Sequence, residues 1–466
     1  MTSRFPTALR RLGALLVLPG VLALTACTDT PDSPAGRGNI RAINVLPDTG
    51  AVQFQIEAVV LDTPDYLSTT TYFGYDSLTF DFNFDYASGL TDSTVRLATT
   101  ELTVVPDTDY TLVLAGTQQA ARIVTIELPE YTATGDITVV EAFALNLSFT
   151  AGDVDFYIGA PGFDPAAAMP VASNVGQEDL VSLGNIAAEE VQIVVTPAGT
   201  PGTELLRSEA ATLNGDDRVF VSLVDSAGVV TSTYAALLIG EIGSARLVDE
   251  SAPVRSQLAH AAQSEGAVDL YLEPEGGALT TPVFANVAFG DVTALVDVPV
   301  ADDLAMLDLT LTAAGNPGAI LREVAAIFAD GQSVVQVVAG SNADDSLLVA
   351  SLLNSRRPLA DSAQLSFYNT ILQQDQVDLY LLEEDEVFDR QTSPTLINNA
   401  LLGSNLNQFR APPGNYTFYI VRNDDDAILL GPLVLDIQAG DIRQFITTDS
   451  ADPNVSTLID IDLTSF

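Results

Sequence analysis

Three segments of this chain place a carboxylate two residues ahead of a phenol: Asp155 with Tyr157, Asp269 with Tyr271, and Asp378 with Tyr380. On a flat sheet such a pair can stack a ring on a sugar while the acid bonds its hydroxyls, so these six are candidate ligand-facing residues. The plainer alternative is that tyrosine is a good strand former whose ring covers a neighbouring loop. His260 is the only histidine and therefore the only imidazole base, and a base needs a nucleophile or substrate beside it. Three acidic runs could offer oxygens to calcium: Asn214-Gly215-Asp216-Asp217, Asn342-Ala343-Asp344-Asp345 and Asn423-Asp424-Asp425-Asp426. None has the ordered spacing of an EF-hand loop, so Asp216, Asp217, Asp344, Asp345, Asp424, Asp425 and Asp426 are weak calcium candidates whose default role is solvated turn chemistry. One histidine and one cysteine are too few for a tight zinc or copper site, and no other cofactor is expected. No Gly-x-Ser-x-Gly elbow and no phosphate-binding glycine loop occurs. No acid pair stands out in apolar surroundings as glycoside hydrolysis would need.

The elements that carry these residues repeat. Val52, Val154, Val268 and Val377 open four similar strands, Val52-Gln53-Phe54-Gln55-Ile56 and its counterparts, spaced by about 100 to 115 residues. Alternate positions are apolar, so Val, Phe or Leu, and Ile or Leu share one face while Asp and Tyr take the other. Eight residues before each valine stands Asn44, Asn146, His260 or Asn369. Each closes a short apolar stretch and precedes a loop, which makes it a structural turn residue. An asparagine amide can bond the loop backbone there, and a histidine ring nitrogen can do the same. Because three of the four equivalents are asparagine, a shared catalytic base is excluded.

Pro170 with Asn174, Pro282 with Asn286, and Pro394 with Asn398 repeat a four-residue spacing. A last hairpin follows Gly215, Gly331 and Gly440. The first copy is the most divergent, with Gln53 and Gln55 in place of Asp and Tyr, and the aromatic alternation Phe80-Asp81-Phe82-Asn83-Phe84-Asp85-Tyr86. Units of this size, with many short strands and frequent turn residues, predict an all-β chain of four tandem immunoglobulin-like β-sandwich domains. Joined end to end through Glu130 to Asp136, Glu241 to Pro253 and Asn354 to Asp361, they would make a rod of about 130 Å.

Composition narrows the function classes. The 466 residues hold 62 acids against 18 bases, a formal charge of −44, and every base is arginine. Such a surface repels nucleic acid, so no nucleic-acid partner is expected. It fits a saline exterior, where salt relieves the self-repulsion. With a single cysteine no disulfide can form within the chain, and cohesion must come from apolar cores.

That cysteine, Cys27, closes the run Leu24-Thr25-Ala26-Cys27 after Arg4, Arg10, Arg11 and the apolar stretch Leu12 to Leu24. The arrangement resembles the bacterial lipobox: a charged region, a short apolar region and small residues at a cleavage point. The resemblance implies cleavage before Cys27 and a diacylglycerol on its thiol. Residues 1–26 then form the signal peptide and 27–38 the lipidated cysteine with a Pro-, Asp- and Gly-rich tether. The repeats follow as 39–132, 133–243, 244–357 and 358–466. The expected location is the cell envelope, at the outer membrane of a Gram-negative bacterium, with the membrane as partner through the lipid.

Leu258-Ala259-His260-Ala261 followed by Gly266-Ala267-Val268-Asp269-Leu270-Tyr271 resembles the opening of the domain of unknown function 4397. Arg41-Ala42-Ile43-Asn44-Val45-Leu46-Pro47-Asp48 leading to Ala51-Val52 is similar to another opening of that family, and Phe284-Ala285-Asn286-Val287-Ala288-Phe289-Gly290 to its next segment. The resemblance implies an immunoglobulin-like sandwich of exported bacterial proteins, often in tandem and often lipid-anchored, with no catalytic residues to transfer. The expected function is non-catalytic: binding, adhesive or structural in the envelope, toward envelope or extracellular polysaccharide or protein. The alternatives are a carbohydrate-binding surface lipoprotein using the Asp–Tyr faces and, least favoured, a polysaccharide hydrolase.

Overall fold

The computed structural model describes residues 36–87, 94–298, 305–384 and 386–464. The expected signal peptide, residues 1–26, and Cys27 lie outside the described residues. The protein is all-β, and its strands form eight sheets, two from each of four successive stretches.

The third stretch shows the plan most simply. Its strands are Val254–His260, Val268–Pro274, Phe284–Val287, Val296–Val298, Ala305–Ala313, Ile320–Phe328, Ser333–Ala339 and Leu348–Leu353. One sheet has the order 4-1-7-8 and the other 3-2-5-6. The same orders recur in the other stretches. In the first, the fourth position is split into Ser68–Thr69 and Phe73–Asp76; in the second, the sixth is split into Leu206–Arg207 and Ala211–Thr212. Strands 1 and 7 are always parallel, as in Arg255↔Ser333 through His260↔Val338. The two-sheet sandwich is the expected architecture. Its strand allocation is particular, because strands 1 and 2 lie in opposite sheets whereas an immunoglobulin domain keeps them in one.

Period-2 alternation closes each sandwich. Val52, Phe54 and Ile56 meet Ile40, Ala42 and Leu112 in the first core, and Val268, Leu270 and Leu272 meet Val254, Leu258 and Val334 in the third. Burying each such side chain contributes about 1.5–3 kcal/mol.

The rod expectation is overturned. The outer faces of the 4-1-7-8 sheets are also apolar, and they pack against each other. Ile43, Val45, Leu67 and Val113 of the first unit meet Phe143, Leu145, Phe220 and Leu237 of the second in one buried cluster. Ala259, Val335 and Val337 of the third meet Ile442, Ile446 and Ile459 of the fourth. The units therefore stand side by side in pairs.

The second pair is stacked on the first. Gly331 of the third unit packs against Val230 and Val248 of the second, and Thr231 N–H donates to Gly331 O at 2.9 Å. Arg357, between the third and fourth units, donates to Pro47 O at 2.9 Å and to Thr49 O, and lies 4.8 Å over the Tyr66 ring. Ala360 N–H donates to Asp48 O at 2.8 Å, and Tyr86 OH to Asp361 at 3.1 Å. The result is two tiers of two sandwiches. The expected second junction, Glu241 to Pro253, also contains an added edge strand, Ser244–Leu247.

Candidate functional site

The Asp–Tyr pairs are not an exposed face. Asp155, Tyr157, Asp269, Tyr271, Asp378 and Tyr380 are all between 2% and 5% exposed. They do point away from the sandwich core, as alternation requires, but loops fold over them. Each aspartate clamps backbone. Asp155 accepts from Asn174 N–H at 2.7 Å and Gly199 N–H at 2.8 Å. Asp269 accepts from Asn286 N–H and Gly315 N–H, both at 2.7 Å. Asp378 accepts from Asn399 N–H at 2.6 Å and from the Arg390 guanidinium.

Asn174, Asn286 and Asn399 all have φ of 53°, in the left-handed region that asparagine tolerates and other residues resist. In the second and third units the clamp thus fixes an edge-strand twist and a hairpin loop with one carboxylate, and in the fourth Arg390 takes the place of the hairpin N–H. In the fourth unit the covering segment is explicit: Phe388 lies 5.1 Å from the Tyr380 ring, stacks at 4.6 Å on Tyr419, and Arg390 donates to the Tyr380 hydroxyl at 2.6 Å. The sugar-stacking expectation for these six residues is corrected accordingly: ring and carboxylate alike are buried and present no open face to a ligand.

The four turn residues occupy one geometry. Asn44, Asn146 and Asn369 accept through Oδ1 from the N–H two residues on: Leu46 at 3.0 Å, Ser148 at 3.2 Å and Ile371 at 3.3 Å. Their amide groups donate to loop carbonyls at Pro64, Gly152 and Leu401. His260 reproduces both contacts. Its Nδ1 accepts from Ala262 N–H at 3.3 Å, and its Nε2 lies 2.9 Å from Gly266 O. That pairing requires the Nε2–H tautomer. Burial also pushes the imidazole below the ordinary histidine range, so it is held neutral. Its ring meets Phe289 edge-on at 6.3 Å.

The acidic runs are turns. Asp216 has φ of 57° and accepts from Thr134 N–H and Gly135 N–H. Asp217 accepts from Arg218 N–H, and Asp344 from the N–H and hydroxyl of Ser346. Asp425 and Asp426 pair with Arg422 and Arg390, and Asp345 faces Arg322 at 3.9 Å. Asp424 sits in the same Arg422–Ala427 turn. Among the described residues no three His, Cys, Asp or Glu side chains converge as metal ligands.

Two features of the first tier escaped the sequence reading. The seam between its units holds buried charge. Arg218 donates to Asp109 at 3.2 Å and to Glu141 at 2.8 Å; Arg41 donates to Thr111 at 3.0 Å and to Gly240 O, and lies 4.5 Å over Tyr72. Glu241 enters this seam from the Gly240–Gly243 turn, and burial pushes its carboxyl up to about 7, partly opposed by Arg41. Arg41 is itself lowered by burial.

The second feature is a cavity of about 600 Å³ where the two tiers meet, lined by Pro47, Phe149, Asp225, Gly228 and Val230 among others. Its one acid, Asp225, already accepts from Ser148 and Thr150 hydroxyls and from Phe149 N–H. The sequence signal for these features is the lack of polar alternation in strands such as Arg218–Asp225 and Tyr234–Ile239, which marks strands covered on both faces.

No protein-family model matches the chain, and no curated protein does. Among solved structures, it is similar to a candidate cell adhesion protein from Bacteroides uniformis ATCC 8492, at 12% identity over 47% of this chain and 98% of that one, with a TM-score of 0.15.

Proposed function

We propose that this chain is an exported envelope protein, anchored by lipid on Cys27, whose four units resemble the domain of unknown function 4397 and act as a non-catalytic adhesive or scaffolding block. The observation that carries this reading is what the repeated polar residues do. In three units the same aspartate holds the same edge-strand asparagine N–H, with a hairpin N–H as second donor in two of them and Arg390 in the third, and in all four the same Asn or His position plugs the first loop. The recurring chemistry therefore serves the scaffold. The carbohydrate-binding alternative loses its carrying residues, since the Asp–Tyr pairs lie beneath loops.

The test is metabolic labelling with an alkynyl fatty acid, followed by fractionation. The chain is expected to take up label and sediment with membranes, while Cys27→Ser yields a folded, unlabelled, soluble protein. Membrane attachment that survived Cys27→Ser would refute the anchor. Protease shaving of intact cells then separates the two roles: cleavage supports adhesion at the surface, and protection supports scaffolding inside.

A further inference from the structure

The direction in which the described chain begins sorts the loops of the first tier. Strand Arg37–Asn44 runs from Gly36 toward Pro47, and Pro47 is where the second tier sits. The end holding Gly36 is therefore the one farthest from the third and fourth units. Ser77 N–H donates to Gly36 O, Asp107 N–H donates to Arg37 O, and Pro106 packs on Gly36, so the turns at 77–78 and 104–107 lie at this end. The 57–58 turn joins them, because Glu57 N–H donates to Asp81 O at the start of the strand Thr79–Ala87.

The seam brings the matching end of the second unit alongside. Asp109 meets Arg218 and Arg41 meets Gly240 at this end, whereas Tyr66 meets Asp225 at the other. The segment before Val139 and the Gly240–Gly243 turn thus share the end with the loops of the first unit.

These loops and the start of the edge strand Val59–Asp62 carry the exposed apolar side chains of the tier's base. Val59, Val60, Leu78 and Val105 are about half exposed, Ile137 is 75% exposed and Ile242 is 91% exposed. Six large aliphatic residues exposed at one end mark an interaction surface. Cys27 stands nine residues ahead of Gly36, so even a fully extended tether places it within about 30 Å of this end.

We propose that this loop end of the first tier rests on a lipid bilayer, with Leu78, Val105, Ile137 and Ile242 entering the headgroup region. The proposal rests on the lipid-anchor reading of Cys27. The carboxylates Glu57, Asp76, Asp107 and Asp136 at the same end make the partner a zwitterionic surface, because anionic headgroups would repel them. The tether supplies proximity, and the apolar loops supply orientation, so the second tier points away from the membrane.

The chain has no tryptophan and one cysteine, which makes the test direct. Leu78→Trp, Ile242→Trp and, as a control in a loop of the upper tier, Val455→Trp are made in the chain from Cys27 onward, which contains every described residue. Each is coupled through its sole thiol to maleimide-headgroup lipid in phosphatidylcholine vesicles, with or without brominated acyl chains. Circular dichroism checks that these exposed substitutions leave the fold unchanged.

Expected is at least twofold quenching and a blue shift for Leu78→Trp and Ile242→Trp, none for Val455→Trp, and weaker quenching when phosphatidylglycerol is added. Absence of quenching at both basal positions, or equal quenching at Val455→Trp, overturns the proposal. So does a blue shift that grows with protein concentration without vesicles, which would assign the surface to a second copy of this chain. Chemical coupling keeps this result independent of natural lipidation, which the fatty-acid labelling above reads separately.

Discussion

Removing the Asp269 carboxylate should damage the third unit without touching any exposed ligand surface. The carboxylate is buried and accepts two hydrogen bonds of 2.7 Å, from Asn286 N–H and Gly315 N–H. Hydrogen bonds to a charged acceptor contribute about 1.5–3 kcal/mol each, and a buried N–H left without an acceptor costs a similar amount. The two bonds share one acceptor and do not add fully, so Asp269→Ala should cost about 3–5 kcal/mol. Asp269→Asn keeps one acceptor but turns an amide NH₂ toward the other N–H, at a cost of about 2–3 kcal/mol.

A single melting temperature is a poor readout for four packed units, because two-state unfolding is not assured. Hydrogen exchange resolved along the chain is the suitable assay. Protection should fall first in Phe284–Val287 and in the hairpin near Gly315, which the carboxylate holds together. Asp345→Asn serves as the control, since that side chain is 99% exposed and asparagine tolerates its φ of 60°, so stability should change by less than about 0.5 kcal/mol. Unchanged protection in Asp269→Ala would refute the clamp. So would loss of a ligand without loss of stability, which would return the Asp–Tyr pair to a binding role.

Three further outcomes follow from the same geometry. His260→Asn preserves one acceptor and one donor in a site that asparagine fills in the other units, and hydrogen exchange of the 260–268 loop should show a change below about 1 kcal/mol; His260→Ala orphans Ala262 N–H and Gly266 O and should cost about 2–3 kcal/mol by the same assay. Glu241, raised from 4.5 to about 7, contributes stability that is fully present below pH 4.5 and lost as pH rises through 7; urea titrations should show that loss, and Glu241→Gln should flatten it. Arg357→Ala leaves Pro47 O and Thr49 O without their donor and should cost about 2–4 kcal/mol, read as faster proteolysis of the segment between Leu353 and Ala363.

Much of the scaffold was legible because it depends on near neighbours. The strand faces of Val268-Asp269-Leu270-Tyr271 follow from period-2 alternation, and the loop plug at Asn146 or His260 follows from a polar residue placed between two apolar runs. The fate of Asp378 and Tyr380 was not legible. Alternation assigns a side chain to a face but says nothing about what later folds over that face. Arg390 and Phe388 cover the pair from a segment whose local pattern is only that of a polar loop. The side-by-side pairing was half visible, in strands such as Val139–Asn146 whose two faces are both apolar, but the partner of the outward face had no mark in the chain.

The sequence by itself determined that this protein is an all-β chain of four like units with a single thiol near its start, because alternation, turn residues and repeat spacing are local properties. Only the tertiary structure decided that the units form two tiers rather than a rod, that the carboxylates beside the tyrosines hold backbone rather than face solvent, and that the exposed aliphatic residues of the first tier share the end at which Gly36 stands. Those outcomes depend on which surfaces far apart in the chain exclude water together. That is a property of the folded whole, set by complementarity between sheets rather than by any one of them.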